Sequence, residues 1–180
     1  MSSEKPTGAD NQQETRSSSL ELDPMWVVGF VDGEGCCSVS IHRNHNVRTG
    51  WQINPVFHLY QHGRHREVLE AVATLFGCGH IRPKGPQSNV LTYGVSARRD
   101  LEGEILPFFE HHPLVVKRAD FERFRTIITM MRCREHLTAA GFERVVRIAY
   151  SMNDQGKQRS RTIEEVLRGS SETARQGPPA

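Results

Sequence analysis

A chain of 180 residues with net charge +2 and a hydrophobic share of 37% has the size of a single domain with one core. No apolar run approaches the roughly 20 residues of a membrane span, and no signal-peptide core follows Met1. The expectation is an intracellular, cytoplasmic protein without membrane association. Cys36, Cys37, Cys78 and Cys133 form no Cys-x-x-Cys pair, which argues against a zinc ribbon or a disulfide framework.

Residues 1–21 are rich in Ser, Gln, Glu and Thr and read as a disordered tail, as do residues 170–180; a single domain fills 22–169. Asp23 and Pro24 form a helix start, an N-cap followed by proline at the first helical position. The apolar helix that follows runs to about Asp32 and ends in two acids, Asp32 and Glu34, spaced by glycines. A helix C-terminus carries partial negative charge, so carboxylates there are disfavoured unless a cation compensates them. Hard carboxylate oxygens suit Mg²⁺. Gly29 and Gly33, four residues apart, share a helix face and allow close approach of a partner helix.

Residues 36–43 alternate Cys37, Val39 and Ile41 with Ser38, Ser40 and His42, the period of a half-buried strand. After a polar connection at 44–50, residues 52–61 alternate again, and Pro55 predicts a bulge or an edge. Helical spacing occupies 66–76 and ends at Gly77. Residues 78–84 and 89–96 form a second strand pair around a turn at 85–88. Ser96 is the expected cap of a third helix through Leu101, Ile105, Leu106 and Phe109, broken at His111, His112 and Pro113. A fourth helix covers 117–134, with Phe121, Phe124, Ile127, Ile128 and Met131 as its apolar stripe; a fifth covers 138–152. The basic segment 157–161 follows, then a short helix ending at Gly169. The predicted class is α+β: an α-β-β-α-β-β-α core with a twisted four-stranded antiparallel sheet, plus C-terminal helices.

The charge is unevenly spread. Residues 36–66 contain no Asp or Glu, and Glu70 is the only acid between Val68 and Arg99. An acid-poor, Arg- and His-rich first half implies a polyanionic partner. One sheet face displays Ser38, Ser40, His42, Asn44, Gln52, Asn54, His58, Arg82, Lys84 and Asn89, with Leu91 added as a further contact. These polar groups suit base edges in a DNA major groove, so the sheet is expected to form a DNA-binding saddle.

The run Val27-Val28-Gly29-Phe30-Val31-Asp32-Gly33-Glu34-Gly35 resembles the LAGLIDADG motif of homing endonucleases. The likeness continues through Tyr60-Gln61, Phe76-Gly77-Cys78-Gly79-His80-Ile81, Leu106-Pro107-Phe108-Phe109 and Lys117. Ile148, Asn153-Asp154, Lys157 and Thr162-Ile163-Glu164-Glu165-Val166-Leu167 resemble the C-terminal segment of the homodimeric, group I intron-encoded branch.

The resemblance implies a site-specific endonuclease that makes a double-strand break in a long, pseudo-palindromic double-stranded DNA, leaving short 3′ overhangs, and that acts in intron homing. One motif per chain implies a homodimer joined through Trp26, Gly29, Phe30, Asp32 and Gly33. It implies Glu34 and the Gly33 carbonyl as ligands of Mg²⁺, with Mn²⁺ or Ca²⁺ substituting in binding. The family prefers Asp where this chain has Glu34. Gln61 falls where the family orients the attacking water, His65 where it often has a basic residue in the solvent network, and Lys117 where it stabilises charge at the phosphate. Lys157, Arg159, Ser160 and Arg161 are expected on the DNA backbone. No small-molecule substrate is implied. Two rival readings remain: a cleavage-inactive member of the fold acting as an RNA maturase or DNA-binding regulator, and an unrelated metal-binding dimer that binds RNA. The preference for Arg over Lys points to a bacterial rather than an organellar host.

Overall fold

A computed structural model describes residues 21–47, 49–153 and 159–176. Helix α1 (Pro24–Glu34) begins as read: the Asp23 carboxylate accepts from the backbone N–H groups of Met25 at 2.7 Å and Trp26 at 3.1 Å. It buries Val27, Val28 and Val31, and its last residue feeds directly into β1 (Gly35–Arg43). That junction requires glycine: a Cβ on Gly35 would lie 2.6 Å from the Val31 carbonyl oxygen.

β2 (Trp51–His62), β3 (His80–Pro83) and β4 (Val90–Val95) complete one sheet in the order β1-β2-β4-β3, every pair antiparallel. Pro55 sits in unbroken register opposite Val39, so no bulge forms. β4 pairs with β2 only from Phe57 onward. At the level of Pro55, β2 therefore has a neighbour on one side only, which is where a residue without an N–H is tolerated.

Helix α2 (Arg66–Phe76) ends on Gly77, which adopts φ 62° and donates its N–H to the Ala73 carbonyl. The third helical segment differs from its reading. Ala97, not Ser96, is its N-cap, and α3 (Arg98–Asp100) passes through a π-helical stretch, Leu101–Ile105, into α4 (Leu106–His111). The π stretch places both Leu101 and Ile105 in the core. α5 (Arg118–Arg132) buries Phe121, Phe124, Ile127, Ile128 and Met130, with Met131 only partly covered. α6 (Ala139–Tyr150) is capped by Thr138. α7 (Ile163–Gln176) continues past Gly169 and opens with a capping box in which Thr162 and Glu165 satisfy each other's backbone N–H.

All helices that build the core lie on one side of the sheet. Cys37, Val39, Trp51, Ile53, Phe57, Leu59, Tyr93 and Val95 point into it, against Leu69, Val72 and Phe76 of α2 and the apolar stripe of α5. Phe57, Phe76, Phe108, Phe109 and Phe121 form one aromatic cluster, with ring centroids 5.0 to 6.3 Å apart. Each buried ring of this kind contributes about 1.5–3 kcal/mol. The opposite sheet face carries no helix of this core. Among the described residues no helix is long and apolar enough to cross a membrane.

Candidate active site and nucleic-acid interface

The two acids at the end of α1 have different surroundings. Asp32 is tied inward: its Oδ2 accepts the Val115 N–H at 2.8 Å and its Oδ1 the Lys117 N–H at 2.9 Å. Burial pushes its carboxyl up, but the N–H donors of Lys117, Val115 and Val116 and the Lys117 charge outweigh that and hold its pKa below the ordinary carboxylate value. Glu34 is exposed, and its carboxylate makes no hydrogen bond or ion pair among the described residues. Lys117 reaches the same helix end from the residue preceding α5. Its ammonium donates to the carbonyls of Val31 and Gly33, each at 3.1 Å, and Gly35 at 2.5 Å. The Gly33 carbonyl, read as a metal ligand, thus already accepts from Lys117.

The β1–β2 register brings the next sequence-predicted residue to this corner. Gly35 pairs with Leu59, so Gln61 lies two positions beyond, level with the end of α1. Its Oε1 accepts the His62 N–H at 2.7 Å, leaving the amide NH₂ free to donate. His65 is exposed at the end of the short 3₁₀ turn Gly63–His65, with Nδ1 3.6 Å from Glu67 Oε1. Gln61 is the penultimate residue of β2, and His65 follows that strand by three residues.

The helix-free sheet face gathers the predicted polar set. At one end Asn44 donates to Gln52 at 2.6 Å and Gln52 to Asn54 at 3.0 Å, an amide chain that fixes three side chains relative to one another. Ser38, Ser40 and His42 flank it from β1, opposite Val56, Asn54 and Gln52. Toward β3 lies a depression of about 380 Å³ lined by His58, Tyr60, Arg82, Pro83, Lys84 and Thr92. His58 and His80 converge over Gly94: a Cβ there would lie 3.7 Å from one Nε2 and 3.8 Å from the other. Burial, together with the charges of Arg82 and His80, lowers the pKa of His58. The Lys84 ammonium sits 4.6 Å from the Tyr60 ring centroid. Tyr60, His80 and Thr92 are not among the site residues expected from the sequence, although Tyr60 follows from the period-2 alternation through His58.

Two of the expected DNA contacts have partners within the chain. Leu91 stands opposite Gln61 and Pro83, on the same side of β4 as buried Tyr93, and packs against the core. Alternation along the strand turns it away from the face that carries Thr92. Arg159 is committed internally: one guanidinium nitrogen donates to the Val39 carbonyl at 2.9 Å and the Ala149 carbonyl at 2.6 Å, and the group lies 4.4 Å from the Tyr150 ring centroid. It fastens the C-terminal segment to the outer edge of β1 and the end of α6. Ser160 and Arg161 are exposed, as is Asn89. Lys157 lies outside the described residues.

One more exposed surface lies along α1. Trp26 is 45% exposed and stacks on Phe30 at 5.1 Å, beside the open faces of Gly29 and Gly33, where added Cβ atoms would meet nothing. Val115 and Val116, each 77% exposed, are held to the end of the same helix through Asp32. The sequence marks them only as apolar residues after a helix break.

Comparison with known proteins shows the family. A family model described as LAGLIDADG endonuclease matches residues 27–128, more than half of the chain. Homing endonuclease I-ApeII of Aeropyrum pernix is 32% identical over 79% of this chain and 87% of its own length. Among solved structures, the archaeal intron-encoded homing endonuclease I-Vdi141I complexed with DNA superimposes with a TM-score of 0.77 at 30% identity, covering 83% of this chain and 95% of that one. I-SmaMI bound to an uncleaved DNA target in the presence of calcium ions matches with a TM-score of 0.70 at 30% identity over 73% of this chain, but over only 45% of its own. The chain belongs to the LAGLIDADG endonuclease family and has the fold of a site-specific homing endonuclease.

Proposed function

We propose that two copies of the chain pair through α1 and cut both strands of a long, pseudo-palindromic duplex with Mg²⁺. The observation that carries this reading is the free Glu34 carboxylate at the end of the exposed Trp26–Gly29–Phe30–Gly33 face. A twofold axis along that face brings two Glu34 side chains together, and an isologous interface reads a near-palindrome. The half-length match to I-SmaMI, against the nearly full-length match to I-Vdi141I, supports assembly from two chains.

The residues fit a hard divalent cation. Glu34 and the Gly33 carbonyl supply oxygen donors, and among the described residues no cluster of three or more His, Cys, Asp or Glu could hold a metal. One chain therefore supplies part of a site, completed by the partner chain and DNA phosphates. When bound, Mg²⁺ lowers the pKa of water and neutralises charge at the phosphate. Gln61 and His65 orient the water whose oxygen forms the new bond to phosphorus as the bond to the 3′ oxygen breaks. The water's proton passes to solvent, and the leaving 3′ oxygen is protonated to a hydroxyl. Lys117 is the cation for the charge that develops at the phosphate. The sheet face reads base edges, and Ser160, Arg161 and Lys157 meet the backbone. A DNA substrate sets the place of action in a DNA-containing compartment, and the Arg-rich composition favours a bacterial cytoplasm.

Glu34→Gln tests the reading on duplexes selected for binding from a random library. Cleavage should fall by at least about 1000-fold, equivalent to about 4 kcal/mol, while binding stays within about threefold. Full activity in Glu34→Gln would remove Glu34 from the site. Binding without cleavage by the native chain would establish the cleavage-inactive alternative.

A further inference from the structure

Lys117 has three N–H donors on its ammonium, and the chain uses all three, on the carbonyls of Val31, Gly33 and Gly35. These oxygens lie at the negative pole of α1, where partial charge favours a cation. The ammonium takes them in preference to either neighbouring carboxylate: neither Glu34 nor Asp32 forms an ion pair with it. Its backbone is fixed separately, through the 2.9 Å bond from the Lys117 N–H to Asp32. The side chain can therefore leave the helix end by rotation about its own bonds, with the main chain held in place.

The same ammonium is assigned to the phosphate under the proposed function, and the same Gly33 carbonyl to the divalent cation. It cannot reach a phosphate without releasing at least one carbonyl. Two cations at one carbonyl oxygen also repel.

We propose that Lys117 is a resident counter-cation of the α1 terminus, a positioning residue that yields Gly33 to the divalent ion only when a duplex phosphate draws the ammonium away. Metal binding at Glu34 then follows DNA binding, and by linkage each strengthens the other. This rests on Glu34 and Gly33 being the metal ligands; the capping role does not.

The test uses the full chain, with Mn²⁺ as probe and a duplex recovered by binding-site selection. In free protein, Lys117→Met should lower Tm by about 2–4 °C, of the order expected for about 1 kcal/mol in a domain of this size, and Lys117→Arg by less. An unchanged Tm in Lys117→Met overturns the capping contact and the proposal with it. By calorimetry, Lys117→Met should tighten Mn²⁺ binding to free protein about tenfold, within the usual range of coupling between sites. In the DNA complex the same variant should change Mn²⁺ affinity less than about threefold. Lys117→Arg should restore the native dependence of Mn²⁺ affinity on DNA, which a merely structural role would not do. Equal effects with and without DNA, or none, overturn the exchange while leaving the endonuclease reading intact. If Glu34→Gln removes no Mn²⁺ binding in either state, the metal reading itself fails.

Discussion

Asp32 and Lys117 are joined from both directions. The Asp32 carboxylate accepts the Lys117 backbone N–H at 2.9 Å, and the Lys117 ammonium bonds the carbonyls of Val31 and Gly33 on either side of Asp32. Acids 32 and 34 thus differ: Asp32 ties α1 to the segment before α5, and the Glu34 carboxylate is left to solvent.

Asp32→Asn should destabilise the fold by about 1–2 kcal/mol near neutral pH, because the charge-assisted bonds to two N–H groups weaken. The Asp32 carboxyl titrates below its ordinary value, so its contribution is present above the unfolded value of 3.8 and is lost as pH falls through the folded one. Urea denaturation of native and Asp32→Asn chains should therefore differ at pH 7 and converge in strong acid. A constant gap at both extremes would assign the effect to shape rather than charge.

The pairing surface proposed above has two parts, the α1 face and the Val115–Val116 loop, and each can be tested alone. Trp26→Glu places a charge on the α1 face, and Val116→Glu places one beside it on the loop held by Asp32. Each should shift the protein to monomer in analytical ultracentrifugation, since an uncompensated charge in an apolar interface is costly. A dimer that survives both changes would place the interface elsewhere.

His58 links stability and binding to pH with opposite signs. Its pKa is lowered by burial and by Arg82 and His80, so the unfolded chain takes up the proton first as pH falls through the ordinary histidine value of 6.5. Folding stability should decline from about pH 7.5 to about pH 5.5, and His58→Gln should decline less. A duplex favours the charged imidazole, so DNA binding by the native chain should strengthen over the same interval. Parallel curves for native and His58→Gln proteins would remove His58 from both effects.

Arg159 and Arg161 separate structure from DNA contact. Arg159→Ala leaves the Val39 and Ala149 carbonyls without their shared donor and should lower stability by about 1–3 kcal/mol with an unchanged salt slope of DNA binding. Arg161→Ala should leave stability nearly unaltered and reduce the slope of log K against log salt by about 1. Equal slopes for native and Arg161→Ala chains would take Arg161 off the backbone.

Local patterns carried much of this protein. Asp23–Pro24 and Gly77 mark helix ends through chemistry confined to a few residues, and the alternation of Ser38, Ser40 and His42 assigns them to one face. Pro55 was ambiguous because its meaning depends on where β4 stops, which no local pattern records. Arg159 read as a phosphate contact because a basic run looks alike whether it faces solvent or fills the gap between β1 and α6. Leu91 lies on the side of β4 opposite Thr92, as period-2 alternation along the strand places it.

By itself the sequence determined the α1 motif, the order of helices and strands, the polar character of one sheet face and the family, because periodicity, caps and spacing act over short distances. Only the tertiary structure decided which acid is free, that Lys117 caps α1, that His58 and His80 meet over Gly94, and that exposed Val115 and Val116 are held beside the end of α1. Those relationships join residues up to 86 positions apart, and only packing brings such residues together.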